Sequence, residues 1–503
     1  MMIKRVLCLV FFAFFLFSFA SCGESGGSET SEKAEESSEI IIPPTIYTVV
    51  YAKAYGSYAE SVADAVKEAS GLEFECVQYA GGETPENSII IGDISDGVGS
   101  TLSKGLNDKD YGIRKENGRI YLYSGVKKTM RDCVDFFVSE YIGERGVSDD
   151  VKDSFYDHAY PLEKFTVNGV SLGEFKIIYA DTKNEAKYAD TAADFKSYLK
   201  EEGAFRTVAA NSQKAETDYE IILGGVAERG ITKDEKENKY AYNAYKITVS
   251  GGKVAVVGNN AVAVWHGLMA FLDNFDESGN ITDTVIEGTC DIVKVSCVGD
   301  SITEGGNSSD PYSMTYPVYL QRMLGYGYLV KNHGHSGYSV VFTDEYSYTK
   351  SDRFMLAKAF KPDVVIYMLG TNDCNPGQAY KSWDDGKREA RYIEDTDRYF
   401  DAFIKANENV QIFVCIPPTL CYSTVWPWEE WAKRITEHTK ILNEQIALSH
   451  GYPIVDMYSW SVEHPEVFPD GLHPKDGSYK DYAQRVYDEI IGVIKTPDDL
   501  DDK

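Results

Sequence analysis

Ser301 stands in Val298-Gly299-Asp300-Ser301-Ile302-Thr303, directly after an apolar run at 292–298 that reads as a strand. A strand that breaks into a small polar turn presents a hydroxyl at the edge of a sheet, where it can act as a nucleophile. Alone, a Gly-Asp-Ser triplet marks only a turn. Its meaning depends on a base, an orienting acid and donors for an oxyanion. Three further segments carry such groups, each after a later predicted strand: Asn332-His333-Gly334-His335-Ser336-Gly337, Gly370-Thr371-Asn372-Asp373 and Asp470-Gly471-Leu472-His473-Pro474. A serine hydroxyl needs a base within hydrogen-bond reach, which the imidazole of His473 can supply. Asp470, three residues earlier, can accept from the second ring nitrogen and fix the tautomer. Each feature also has a bland reading: a helix cap for Ser301, a turn for Asn372, a loop for Asp470-Gly471. Their joint occurrence, in order and at strand ends, favours acyl-transfer chemistry. His333, His335 and His464 are rival bases, but only His473 has the paired aspartate and the following proline. Asp300 and Thr303 are read as residues that hold the nucleophile turn.

In order and spacing, these segments resemble the four sequence blocks of the SGNH (GDSL-type) hydrolase superfamily over residues 293–494. The flanks Leu369-Gly370-Thr371-Asn372-Asp373 and Phe468-Pro469-Asp470-Gly471-Leu472-His473-Pro474 are similar to its carbohydrate O-acetylesterase branch. The resemblance implies an acyl-serine mechanism with Ser301 as nucleophile, His473 as base and then acid, and Asp470 as orienting acid. It assigns the oxyanion hole to the backbone N–H groups of Ser301 and Gly337 and the side-chain amide of Asn372. An acetylated polysaccharide or oligosaccharide is the implied substrate. The alternatives are a lipase or lysophospholipase acting on longer acyl esters, and a surface protein that binds carbohydrate without turnover. Trp383, Trp426 and Trp428 fall in loops expected at the carboxyl edge of the sheet, where aromatic faces stack on sugars or merely anchor the loops. No His-Glu-x-x-His, cysteine-pair or calcium-loop pattern occurs, so neither metal nor cofactor is required.

The elements that must position these groups are short strands apolar on both faces, at 292–298, 328–332, 363–369, 411–416 and 453–456. They alternate with helices expected at 316–324, 351–360, 391–406, 431–450 and 479–494. That pattern predicts a parallel sheet covered by helices, an α/β domain of flavodoxin-like, three-layer form at 291–497. Ligands of such sheets bind beyond the carboxyl ends of the strands. Upstream, 45–142 and 175–275 repeat one order of elements: strand, helix, strand, hairpin, helix. The hairpins turn at Asn117-Gly118 and Gly251-Gly252. Two duplicated small α/β domains, 45–160 and 161–290, are therefore expected before the catalytic one. They distantly resemble the α/β domains that precede the barrel in some hexosaminidases and glucuronidases.

The chain has 503 residues, 43% of them hydrophobic, and a net charge of −29. Length argues for several domains, and the charge repels nucleic acid and anionic membranes. Lys4 and Arg5 precede an apolar run at 6–20 that ends in Phe19-Ala20-Ser21-Cys22. This reads as an export signal at 1–21, and its end resembles a bacterial lipobox with Cys22 as the lipidated residue. Plain secretion after nearby cleavage is the alternative. A Gly, Ser and Glu tether follows within 22–44, so contact with a membrane is expected only through the anchor. The cysteines show no C-x-x-C or zinc spacing and read mostly as buried thiols of a reducing or anaerobic habitat.

Overall fold

The computed structural model describes residues 43–180, 188–230, 240–377, 383 and 386–500. The expected signal at 1–21, Cys22 and nearly all of the tether lie outside the described residues. The chain divides into two compact units, residues 1–156 and 157–503.

The first unit is built on a six-stranded sheet. Thr48–Tyr51 lies between Glu75–Gln78 and Ser88–Ile91, and the hairpin Tyr111–Glu116/Arg119–Ser124 and the strand Ser154–Tyr156 complete it. Helices Gly56–Ser70 and Met130–Tyr141 pack together and bury Val62, Val66, Val134 and Phe137. In the second unit, Lys176–Tyr179 lies between Ala209–Asn211 and Glu220–Leu223, followed by the hairpin Ala244–Ser250/Lys253–Gly258 and the strand Thr284–Thr289. Numbered along its own part of the chain, each sheet has strand order 2-1-3-5-4-6. The edge strands Glu75–Gln78 and Ala209–Asn211, and the closing strands Ser154–Tyr156 and Thr284–Thr289, add to the elements expected from sequence.

Beyond residue 292 the second unit is built on a five-stranded parallel sheet. Its strands are β1 (Val293–Gly299), β2 (Tyr328–Gly334), β3 (Val364–Met368), β4 (Gln411–Ile416) and β5 (Ile454–Asp456), in spatial order β2-β1-β3-β4-β5. All five residues of β3 are buried, as are Val293, Val295, Cys297 and Val298 of β1, because helices cover both faces. Tyr316–Leu324 packs with Ser478–Ile490, while Lys387–Ala406 packs with Asp352–Phe360 and Lys440–His450. The direction of winding reverses around β1, which opens a crevice at its carboxyl end. There Gly299-Asp300-Ser301 leaves the sheet.

The single helix expected at 431–450 is three segments: Trp428–Arg434, a π-helical turn Ile435–Thr439, and Lys440–His450. Such turns insert a residue and reorient side chains locally. Here Thr439 contacts Cys374 (Oγ1 to Sγ 3.5 Å) and His438 stacks on Trp383 (centroids 4.5 Å apart, 6° between planes).

Candidate active site

Ser301 begins the short helix Ser301–Glu304, which Asp300 caps by accepting from the Ile302 N–H at 3.0 Å. The Ser301 hydroxyl donates to Nε2 of His473 at 2.8 Å, and Nδ1 of His473 donates to Oδ2 of Asp470 at 2.8 Å. The other Asp470 oxygen accepts from the backbone N–H of Leu472 (2.9 Å) and His473 (2.7 Å). Burial opposes ionisation of Asp470, but the hydrogen bonds from His473 and these two amides outweigh it and hold the carboxyl well below the usual carboxylate range. An ionised, oriented Asp470 keeps the Nε2 lone pair of His473 facing Ser301. Gly306 makes room for that imidazole: a Cβ there would lie 2.5 Å from Cδ2 of His473.

Asp300 is held differently. It is 1% exposed, and burial pushes its carboxyl up to about 6, partly offset by the Ile302 amide and by His473. Its position under the turn matches a holding role.

The donors proposed for an oxyanion come from separate strand ends. Neither the Ser301 nor the Gly337 backbone N–H has an acceptor among the described residues, the first being an orphan donor of a helix start. Gly337 has φ +82°, which a side chain would strain, and nothing crowds it. Asn372 is almost buried, and its Nδ2 donates to Tyr338 O at 3.2 Å. Its turn is anchored by Trp431 Nε1 donating to Thr371 O (2.7 Å) and by Asn443 Nδ2 donating to Leu369 O (3.1 Å).

Several supporting residues escape local sequence patterns. Buried Asp373 accepts from the Val340 N–H at 2.9 Å and from Arg388 at 3.1 Å, and Arg388 forks onto Asp344 at 3.0 and 2.7 Å. This cluster ties the Asn372 turn to the loop after Gly337. Glu304 accepts from the Ser336 N–H at 2.8 Å and from its hydroxyl, tying the same loop to the nucleophile helix.

The three candidate tryptophans separate. Trp383 is 7% exposed, stacked on His438 and with the Arg388 guanidinium carbon 5.3 Å from its ring centroid; it is core and not a sugar platform. Trp426 is half-buried, edge-on to His473 with centroids 6.1 Å apart, and donates to Asp470 Oδ2 at 3.4 Å. Trp428 is half-buried beside Tyr422, which is 73% exposed. The rival histidines are held elsewhere: His333 with Ser296 (2.8 Å), His335 with Ser351 (2.6 Å) and His464 with Glu466 (3.2 Å). Five of the seven described cysteines are buried, all seven are free thiols, and burial pushes Cys297 up to about 12. Among the described residues no group of three or more His, Cys, Asp or Glu side chains is arranged to hold a metal ion.

A parallel α/β sheet with a hydrogen-bonded serine, histidine and aspartate at its carboxyl edge defines a class of hydrolase-like domain. Residues 297–480 match the GDSL-like Lipase/Acylhydrolase family, so the chain carries a domain of that family, within the SGNH superfamily. An acetylxylan esterase from Xylanibacter ruminicola is 30% identical over 210 residues, covering 39% of this chain and 42% of that protein. The chain thus spans less than half the length of this curated relative. Among solved structures, Est24, a carbohydrate acetylesterase from Sinorhizobium meliloti, is 18% identical with a TM-score of 0.32, over 40% of this chain and 100% of that one. A lipase/acylhydrolase from Enterococcus faecalis is 20% identical with a TM-score of 0.31, over 41% and 98%.

Proposed function

We propose that the protein is a serine esterase that removes O-acetyl groups from a polysaccharide or its oligosaccharides. The observation that carries this reading is the continuous chain of 2.8 Å hydrogen bonds from Ser301 through His473 to Asp470. His473 takes the Ser301 proton as the hydroxyl attacks the ester carbonyl. The N–H groups of Ser301 and Gly337 and the amide of Asn372 stabilise the oxyanion. His473 then protonates the leaving sugar hydroxyl, and water cleaves the acyl-serine by the same route in reverse. The name of the Xylanibacter relative supports acetylated xylan as the first substrate to try. A series of 4-nitrophenyl esters from acetate to decanoate tests the acyl preference. Activity should be highest on acetate and fall with length; a maximum at octanoate or decanoate would make the protein a lipase instead.

The same reading includes export and anchoring through Cys22, supported by the charged and apolar segment before it. Cys22→Ser should move the protein from the membrane to the soluble fraction. It also includes a duplication of the two N-terminal α/β domains, supported by their shared strand order.

A further inference from the structure

The second unit contains a cavity of about 810 Å³, between the helix Tyr188–Gly203 of the N-terminal sheet layer and the edge strand β2 of the catalytic sheet. Its lining includes Glu304, Gly305 and Gly306, the last of which also packs against His473, and extends to Asp190 and Asp194. Its two walls are fastened together. Trp265 stacks on Tyr326 (centroids 4.4 Å apart, 8° between planes), and Tyr326 O accepts from Nε2 of His266 at 2.8 Å. Arg322 pairs with Asp190 at 2.8 Å, and the Tyr326 hydroxyl donates to Asp194 at 2.6 Å. The cavity is therefore formed before any ligand arrives, as small-molecule sites usually are.

Its chemistry differs from that of the surrounding protein. In a chain of net charge −29, the lining balances three acids (Asp190, Asp194, Glu304) against three bases (Arg322, Lys331, Arg353). The amides of Gln321 and Asn332 are engaged by backbone groups, of Gly325, Tyr328 and Val330 and of Thr303 and Gly334, while Val262, Pro317, Val318 and Leu329 and the 53% exposed ring of Tyr312 supply apolar surface. Balanced charges, apolar side chains and an exposed aromatic face suit a neutral ligand with apolar faces to stack, such as a sugar ring. The volume far exceeds the needs of an acetyl group and falls within the ~300–1,000 Å³ usual for ligand sites.

We propose that this cavity is a second carbohydrate-binding site, which holds several residues of a neutral glycan backbone while an acetylated sugar of the same chain reaches Ser301. This rests on the esterase reading for its direction but is tested apart from it. Full-length Ser301→Ala protein is titrated by calorimetry with two unesterified probes, xylohexaose and mannohexaose. At least one should bind, and Ala193→Trp, which fills the cavity from an exposed position on the Tyr188–Gly203 helix, should weaken that binding at least tenfold. Tyr312→Ala, at an exposed ring, provides a second variant. With Ser301 restored, each variant should lower kcat/KM for acetylated xylo-oligosaccharide relative to that for 4-nitrophenyl acetate by at least tenfold. Binding of neither hexaose, or binding that both variants leave unchanged, overturns the second site whatever the esterase result. Absence of all ester turnover, with hexaose binding that the variants abolish, overturns the esterase reading and leaves the site standing.

Discussion

Two aspartates beside the Ser301–His473 hydrogen bond are shifted in opposite directions. Asp470 is stabilised as an anion, so its contribution to stability is present above the unfolded carboxyl value near 4 and is lost as pH falls below it. Asp300 is raised from 3.8 to about 6, so the folded protein binds the extra proton and stability falls as pH rises from about 4 to about 6. Its full cost, of the order of 3 kcal/mol, applies above that window. Asp300→Asn keeps an oxygen for the Ile302 amide, and thermal melts across pH 4–8 should show a flatter profile and a higher midpoint at pH 7. Asn372→Ala should lower kcat on 4-nitrophenyl acetate by about 10²- to 10³-fold with little change in folding, read by stopped-flow and circular dichroism. Gly306→Ala places a methyl against His473 and should cost about 10²-fold in kcat. Ser301, Asp470 and His473, each read from a short motif, are brought within hydrogen-bond reach by the fold, Ser301 from the end of β1 and the other two from the loop beyond the helix that follows β5. For Trp383 the sequence left stacking on sugar and anchoring the loop both open; its burial favours the anchor, and the ring stacked on it, His438, comes from a helix more than fifty residues later in the chain.

Among elements, the central strands β3 and β4 were legible because both faces are buried and each reads as a nearly continuous apolar run. The edge strands Glu75–Gln78 and Ala209–Asn211 were not, being short and partly exposed, with no alternation to mark them. The π-turn at Ile435–Thr439 left no mark either, since an apolar helical period continues across it. The loop that carries Gly337 and the turn that carries Asn372 are coupled through Arg388 and its two aspartates, an arrangement that only the fold brings together. Arg388→Met removes the cation shared by two buried carboxylates. It should destabilise the protein by about 3–5 kcal/mol in urea unfolding and lower kcat more than it raises KM.

At the scale of the whole molecule, the hydrophobic clusters show where the chain can be divided. The core at 47–151 closes within the first unit. In the second unit, Val262, Cys290 and Ile292 pack with Leu329 and Phe360, joining the N-terminal sheet layer to the catalytic sheet. A chain of residues 157–503 should therefore fold with a single cooperative transition and hydrolyse 4-nitrophenyl acetate. A chain of 291–503 exposes that cluster and should be less stable or aggregate, as seen by thermal melting and size-exclusion chromatography. The central claim is that Ser301, activated by His473, cleaves acetyl esters of a glycan. It is tested most directly by acetate release from acetylated xylan by wild-type and Ser301→Ala protein at equal, folded concentration. The wild type should release acetate and the variant should be slower by at least about 10³-fold; equal rates from the two proteins would contradict the account.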